Sequence, residues 1–411
     1  MTTLTPRDAK DVETAVRDAI GAGQPLEIVG HGTKRAIGHR SQTNAVLDMS
    51  ALSRVTSYEP NELILTVQAG TSLHQVEQLI AAKNQEFAFE PMDTATLLGT
   101  AAQRGTIGGM IAAGLAGPRR VKAGGARDHL LGVAAVSGFG ESFKAGGKVV
   151  KNVTGYDLCK LVAGSWGTLS VMTEVTLKVM PRAESERTLL LRGLDAVVAG
   201  EAMRTALGSP FEVSATAHVP VSSWRGRSAL TDLAADETLT LIRLEGIAAS
   251  VAHRARALTA ELKGLAAAAE EIDGEPSQRV WRAIRDVEPL AAGGPLGAWP
   301  VWRIVCPPAA GPAFGQRLAR ETGGDLIYDW GGGLIWAALP PSQDAHAATV
   351  RERASAIGGH ATLIRASDAM RERIEVFHPL QAGVAALTAR VKASFDPSDI
   401  LNRGRLARVA R

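Results

Sequence analysis

The stretch Lys151–Pro181, KNVTGYDLCKLVAGSWGTLSVMTEVTLKVMP, runs a short helix pattern into the turn Gly164-Ser165-Trp166-Gly167 and then into a long apolar strand. An earlier turn, Thr106-Ile107-Gly108-Gly109, opens a helix of small residues. Each places glycine where a backbone either reaches positive φ or approaches a flat ligand closely. Small residues from Met110 to Gly117 let main chain come near a ligand, and a helix N-terminus there offers orphan N–H donors and a positive dipole end to phosphate. Close helix packing is the alternative use of the same residues. Upstream, Gly30-His31-Gly32-Thr33-Lys34 follows the apolar strand Leu26–Val29 directly. Successive N–H groups in such a turn form a concave anion site, the Thr33 hydroxyl adds a donor and Lys34 a charge, so pyrophosphate is its natural ligand. A plain tight turn is the competing account. The loop is not a Rossmann fingerprint, since no helix and no fitting acidic residue follow it.

Outward from these loops the chain reads as one alternating domain and a second of different texture. Val12, Val16, Ala19 and Ile20 recur at helical spacing and stop at Gly21 and Gly23. Strands are expected over Leu26–Val29, Asn44–Met49, Glu62–Gln68, Leu130–Val136 and Leu169–Val179. Ser72 is the expected N-cap of a helix with Leu73, Val76, Leu79 and Ile80 on one face. This order argues for an α+β or α/β domain ending near Pro181. Beyond it, Gly246–Glu271 reads as Ala-rich helix, and Leu239–Leu244, Val301–Val305, Leu326–Tyr328 and Leu334–Ala338 read as strands. The Gly-Pro clusters Ala291–Pro300 and Cys306–Pro312 read as surface connections, and Pro379–Ser394 as a closing helix.

The 411 residues exceed one ordinary core and suggest two domains. The 45 Lys and Arg nearly balance the 42 Asp and Glu and form no basic block, so nucleic acid is not an expected partner. The two cysteines, Cys159 and Cys306, make neither a disulfide framework nor a metal-ligand spacing nor a four-cysteine cluster, which fits a reducing compartment. Cys159, in an apolar helix pattern, reads as a small core residue. The N-terminus is charged and helix-patterned rather than signal-like, and no apolar run approaches the roughly 20 residues that span a bilayer. A cytoplasmic protein without a transmembrane segment is the expectation.

In this order and separation the glycine loops resemble the FAD-binding domain of the vanillyl-alcohol oxidase, or PCMH-type, flavoproteins. Gly114-Leu115-Ala116-Gly117-Pro118-Arg119-Arg120 and Asp329-Trp330-Gly331-Gly332 resemble, more narrowly, the E subunits of bacterial glycolate oxidases. The resemblance covers nearly the whole chain and implies an α+β fold: a PCMH-type FAD domain of two subdomains over 1–181, an α/β cap over 182–378, and a helix and tail over 379–411 returning to the flavin. It implies FAD as cofactor, held by Gly30, His31, Gly32, Thr33, Lys34, Pro91, Met92, Thr106, Gly108, Gly109, Ala113, Gly114, Gly117, Gly125, Gly167, Val171, Asn402 and Arg405. Relatives usually carry an acidic residue at the position of Trp166, glycine at that of Ser170 and proline at that of Arg403. Trp166 is then either a rigid neighbour for a ring system or a packing residue. A cation at Arg403 or Arg405 beside the N1 and C2 carbonyl edge of a flavin would stabilise the reduced anionic ring.

By the same resemblance the chain is the FAD-binding subunit of a complex that oxidises glycolate, a small 2-hydroxy acid, to glyoxylate. Its expected companions are a larger catalytic FAD subunit and an iron–sulfur subunit, with contact to the inner membrane, if any, made peripherally through the complex. Flavoenzymes of this superfamily that oxidise D-2-hydroxy acids generally carry a His-x-His metal site, and the nine histidines here include no such pair. No catalytic residue is assigned, and the flavin is expected to relay electrons or to be structural. Two other readings stay open: a self-sufficient FAD dehydrogenase that holds an anionic substrate through Arg119, Arg120 or Arg365, and a flavin-free scaffold for sister subunits.

Overall fold

The computed structural model describes residues 2–43, 45–148, 155–221, 233, 237–266 and 268–408. Asn44 and the opening Lys151–Thr154 of the stretch quoted above lie outside them.

Helix Ala9–Ala22 is capped by the Asp8 carboxylate on the Asp11 amide and ends where Gly23 turns to φ 59°. It buries Val12, Val16 and Ala19 against a parallel three-stranded sheet ordered Thr2–Leu4, Ala45–Asp48, Leu26–Val29. Beside it stands an antiparallel five-stranded sheet ordered Val55–Glu59, Ile64–Gln68, Ser170–Lys178, Leu130–Ser137, Ser142–Gly146. Helices Leu73–Ala81 and Ile107–Ala113 cover this sheet, burying Leu73, Val76, Ile80, Ile107 and Met110 against Leu65, Val67, Val133 and Val175. Leu79, expected on the same helix face, is exposed instead, because the apolar stripe is narrower than the spacing suggested.

The second half is organised by one antiparallel sheet of eight strands, ordered Ala269–Asp273, Ser185–Arg192, Leu239–Gly246, Val213–Val219, Asp325–Asp329, Leu334–Ala338, Val301–Val305, His360–Arg365. Helices Ala196–Gly208, Ala248–Glu261, Gly311–Thr322 and Ala347–Ala356 bury one face. The other face, with Trp281, Trp330 and Trp336, joins Met92, Leu97, Ala113 and Leu115 of the N-terminal half in a shared core.

Two expectations are corrected here. The Ala-rich helix stops at Glu261, and Ala269–Asp273 is an edge strand whose Glu270 and Glu271 pair with Arg192 and Arg187 of the neighbouring strand. Cross-strand charge pairing outweighs the helix propensity of those residues. The Cys306–Pro312 cluster is not purely a surface connection. Gly311 and Pro312 open helix Gly311–Thr322 and are buried, Gly311 lying with its bare Cα against the Gly332 carbonyl.

Helix Ala382–Phe395 leads into a tail that returns to the first sheet. Asp396, 1% exposed, accepts hydrogen bonds from the Ile400 (3.1 Å) and Leu401 (2.8 Å) amides and pairs with Lys392. The tail then runs parallel to Leu26, whose amide donates to the Ile400 carbonyl at 2.7 Å and whose carbonyl accepts from the Asn402 amide at 3.0 Å.

Candidate cofactor site

This return sets Asn402 at φ 45°, where its side chain accepts from the Ile28 amide and donates to the Trp166 carbonyl, each at 2.7 Å. One amide group thus ties the tail to the strand before the Gly30 loop and to the Trp166 turn. Between these segments and the Thr106 helix lies a cleft of about 750 Å³, open to solvent. Gly30, His31, Gly32, Thr33, Lys34, Thr106, Gly108, Gly109, Ala113, Gly167, Asn402 and Arg405 line it.

The glycines are needed where segments touch. A Cβ on Gly30 would sit 2.7 Å from Thr106 Cγ2, and one on Gly108 would sit 2.9 Å from the Ala69 carbonyl oxygen. Gly167, at φ 70°, leaves room for the Asn402 side chain, which a Cβ would meet at 2.7 Å. Along the first loop, no described group accepts a hydrogen bond from the main-chain amides of Gly30, His31, Gly32, Thr33 or Lys34. Ser170, also lining the cleft, has a buried hydroxyl without a partner. The second loop departs from expectation. Ile107 and Gly108 donate their amides to the carbonyls of Thr71 (2.9 Å) and Ala69 (2.7 Å), and Gly109 donates to the Thr106 hydroxyl (3.2 Å). Its first-turn donors are therefore used within the protein, and that loop contributes close backbone approach.

Three cations line the cleft, and Arg35 is taken up by an ion pair with Glu27, which leaves Lys34 and Arg405. Burial lowers the Lys34 ammonium pKa, against a weaker opposing pull from Asp93. Arg405 donates to the carbonyls of Lys34 (2.9 Å) and Arg35 (3.3 Å), stands 5.9 Å from the Trp166 ring centre, and is pushed down to about 10 by burial, which leaves it charged at neutral pH. Of the two arginines weighed for the cleft, Arg405 is the one present. Arg403 pairs with Asp399 at 3.3 Å and does not line it. Trp166 serves both uses considered for it, lining the cleft and packing edge-on against Phe377 at 5.8 Å. Free amides, an unpartnered hydroxyl and two cations beside bare glycine surface suit a dinucleotide's diphosphate.

Other expected residues stand elsewhere. Pro91 and Met92 line a second, larger cleft of about 1890 Å³ that shares Lys34 with the first. Gly114 ends its helix at φ 62° beside Gly164. Gly125 donates its amide to Asp128 at 2.7 Å, and Val171 is fully buried in the sheet core. Gly117 packs against Glu90 and Arg285, and its carbonyl accepts from Trp330 Nε1 at 3.1 Å. The two segments that carried the narrower resemblance, Gly114–Arg120 and Asp329–Gly332, thus touch each other across the two halves. Met49, Ala69 and Met172, which sequence reasoning did not single out, add apolar wall to the first cleft.

The second cleft is lined by a buried ionic network. Glu90, held at φ 49°, accepts from Arg243 at 2.8 and 3.0 Å and from the Arg119 amide at 2.8 Å, while Arg119 pairs with Glu86 and Glu245. Burial alone would raise the Glu245 carboxyl, but Arg243 and Arg119 outweigh it and hold it at about 2. Arg365 donates to the carbonyls of Trp299, Leu97, Leu290 and Leu296. Arg119 and Arg365 are therefore engaged within the protein. Cys159 is buried, as expected of a core thiol. Among the described residues no three His, Cys, Asp or Glu side chains converge as a metal-binding set, and no helix is long and apolar enough to cross a membrane.

Comparison with known proteins agrees with this geometry. Residues 2–146 match the FAD binding domain family. The chain is 31% identical over 393 residues to glycolate oxidase subunit GlcE of Escherichia coli (strain K12), covering 95% of each chain. It is 29% identical over 188 residues to glycolate oxidase subunit GlcD of Bacillus subtilis (strain 168), covering 46% of this chain and 38% of that one. In fold it is similar to p-cresol methylhydroxylase, with a TM-score of 0.70 at 15% identity over 99% of this chain and 88% of that one. It also resembles an alkyldihydroxyacetonephosphate synthase, with a TM-score of 0.67 at 15% identity over 97% and 76% of the respective chains. The chain belongs to the GlcE family of glycolate oxidase subunits, FAD-dependent oxidoreductases of the PCMH-type fold, with FAD as its cofactor.

Proposed function

We propose that this chain is the electron-relay flavin subunit of a complex that oxidises glycolate to glyoxylate, with electrons leaving through an iron–sulfur partner and the hydroxy-acid site residing in a second flavin subunit. The observation that carries the reading is the end-to-end identity to GlcE, 31% over 95% of both chains. The likeness of part of the chain to a GlcD subunit supports an assembly of two related flavin chains.

In this reading residues 1–181 form the FAD domain, 182–378 the cap and 379–411 the returning tail. The free amides of Gly30–Lys34 and the Ser170 hydroxyl hold the diphosphate, and Gly108, Gly109, Ala113 and Gly167 supply close-approach surface. FAD supplies acceptance of two electrons and their release one at a time. Asn402 fixes the wall formed by Ile28 and Trp166, and Arg405 provides a positive charge that favours an anionic reduced ring.

The test is anaerobic addition of glycolate to the purified FAD-loaded chain, followed by addition of the partner subunits. The relay reading expects the flavin band to stay oxidised until the partners are present. Bleaching by glycolate in the single chain would overturn it in favour of a self-sufficient dehydrogenase.

A further inference from the structure

We propose that helix Ala382–Phe395 is a docking element that enters an apolar, acid-edged groove of a partner protein and holds that partner beside the Trp166 wall of the cofactor cleft. The helix has no buried residue, and every residue from Gln381 to Arg390 is exposed. Leu380, Val384 and Leu387 are 54%, 50% and 56% exposed, and nowhere else among the described residues do three exposed large apolar side chains fall within eight residues. Single exposed apolar residues are ordinary on a protein surface, whereas such a cluster marks an interaction site. Spacing of three and four residues sets Val384, Leu387, Val391 and Phe395 on one stripe. The stripe is filled at one end only. Phe395 stands edge-on to Phe143 at 6.4 Å and Val391 is partly buried, while Leu387 and Val384 lie open.

The helix is held at both ends. Lys392 donates to the carbonyls of Thr168 (2.8 Å) and Leu401 (3.2 Å), and Phe377, just upstream, packs on Trp166. Its 14 residues are near the length at which an isolated helix is marginal in water, and the tertiary packing that normally stabilises one is missing between those anchors. A partner supplies that packing. Thr168 and Phe377 flank the Trp166 turn that lines the cofactor cleft, so a protein seated on this helix stands at the wall across which a relay flavin hands over electrons.

Size selects a groove over a second copy of the chain. Two such helices laid side by side would share fewer than two heptads, where a coiled coil takes about three or four. Their footprint, about 21 Å by 10 Å, falls well short of the roughly 800 Å² that each partner contributes to a stable interface. A groove instead covers the whole exposed circumference, as in recognition of an amphipathic helix by an apolar channel. Charge sets the rim. Between Glu375 and Asp396 the chain carries Arg390 and Lys392 and no acidic residue. Lys392 is taken by Asp396, but the Arg390 guanidinium, one turn from Leu387, donates to no described group, so a carboxylate at the groove's edge is its complement. Taking the partner to be a sister subunit of the glycolate-oxidising complex rests on the relay reading above; the apolar, acid-edged groove does not.

The experiment mixes the purified FAD-loaded chain with the purified sister flavin and iron–sulfur subunits, and measures the dissociation constant of the assembly and its mass by light scattering. Leu387→Glu and Val384→Glu should each weaken assembly about tenfold or more, by setting a charge against an apolar wall, and should leave the flavin content and melting temperature of the single chain at wild-type values. Arg390→Glu should weaken assembly less, and more at low salt than at high salt. Wild-type assembly by Leu387→Glu, or a lowered melting temperature of that chain on its own, would overturn the proposal and leave the relay reading standing. So would a wild-type chain that dimerises alone, or binds vesicles of phosphatidylglycerol, and loses that property in Leu387→Glu, since the face would then belong to a second copy or to a membrane. A wild-type chain that assembles with neither subunit would remove the relay reading and this surface with it.

Discussion

Replacing Asn402 by alanine should open the cofactor cleft, and the size of the effect can be worked from three features. The side chain, 6% exposed, satisfies the Ile28 N–H and the Trp166 C=O at 2.7 Å each. Deleting it leaves both groups unpaired, at about 1 to 3 kcal/mol apiece, with the low end favoured because the cleft admits water. Alanine must also hold φ 45°, in the left-handed region, for about 1 kcal/mol more. The total of about 3 kcal/mol corresponds to roughly a hundredfold in an equilibrium constant. Because Asn402 joins three walls of the cleft, that loss should fall on FAD affinity, read as the dissociation constant from flavin fluorescence, and on the melting temperature of the apo chain. Asn402→Gly separates the terms: it removes both hydrogen bonds but tolerates the backbone angle, so it should lie about 1 kcal/mol closer to wild type than alanine. Asn402→Asp keeps the acceptor for Ile28 and loses the donor to Trp166. Wild-type FAD affinity and melting temperature in Asn402→Ala would show that Asn402 does not hold these walls together.

Other outcomes follow from the same structure. Gly30→Ala forces a Cβ against Thr106 and should weaken FAD binding more than it lowers the apo melting temperature; equal effects on both would show the loop to be a purely structural turn. Glu90→Gln strips a buried partner from Arg243 and should cost about 3 to 5 kcal/mol in denaturant unfolding; a loss under 1 kcal/mol would contradict the network. Glu245, depressed to about 2, contributes stability that is complete above the ordinary carboxylate range near pH 4.5 and disappears as pH falls toward 2, so Glu245→Gln and wild type should converge in melting temperature at the acid end. Asp329 has the opposite sign. Its carboxyl is raised to about 8, so its penalty on the folded state is absent below about pH 4 and grows as pH rises to about 8, and Asp329→Asn, which keeps the acceptor for the Trp330 amide, should gain melting temperature over wild type between pH 5 and 9. A gap independent of pH would show that Asp329 is ionised throughout.

Much of the N-terminal half was legible because its signals are local. The helix stop at Gly23, the Ser72 cap and the strands around Leu65 and Val175 follow from capping and apolar pattern, while Gly30 and Gly108, expected to face a ligand, stand where two protein segments come close. The partner in each approach was not legible. Gly30 faces a threonine, Gly167 an asparagine and Gly117 the Glu90 and Arg285 side chains, and nothing in a glycine's neighbours along the chain distinguishes a surface bared for a ligand from one filled by the protein. For the same reason the donors expected at the Thr106 helix proved to be taken by Thr71 and Ala69, which arrive from another strand end. In the second half, Val213–Val219 is buried along its whole length, although Ser214, Thr216 and His218 alternate with its apolar residues, so the pattern that reads as a half-exposed strand belongs to a fully covered one. Glu270 and Glu271 look helical until Arg192 and Arg187 are placed beside them.

Whether the Gly30 loop holds the diphosphate is decided by an experimental structure of the FAD-bound chain. Diphosphate oxygens are expected within hydrogen-bond distance of the Gly30–Lys34 amides, with Asn402 still bridging Ile28 and Trp166. A diphosphate seated in the larger cleft beside Glu77 and Arg285, with the Gly30 loop amides left to water, would contradict it.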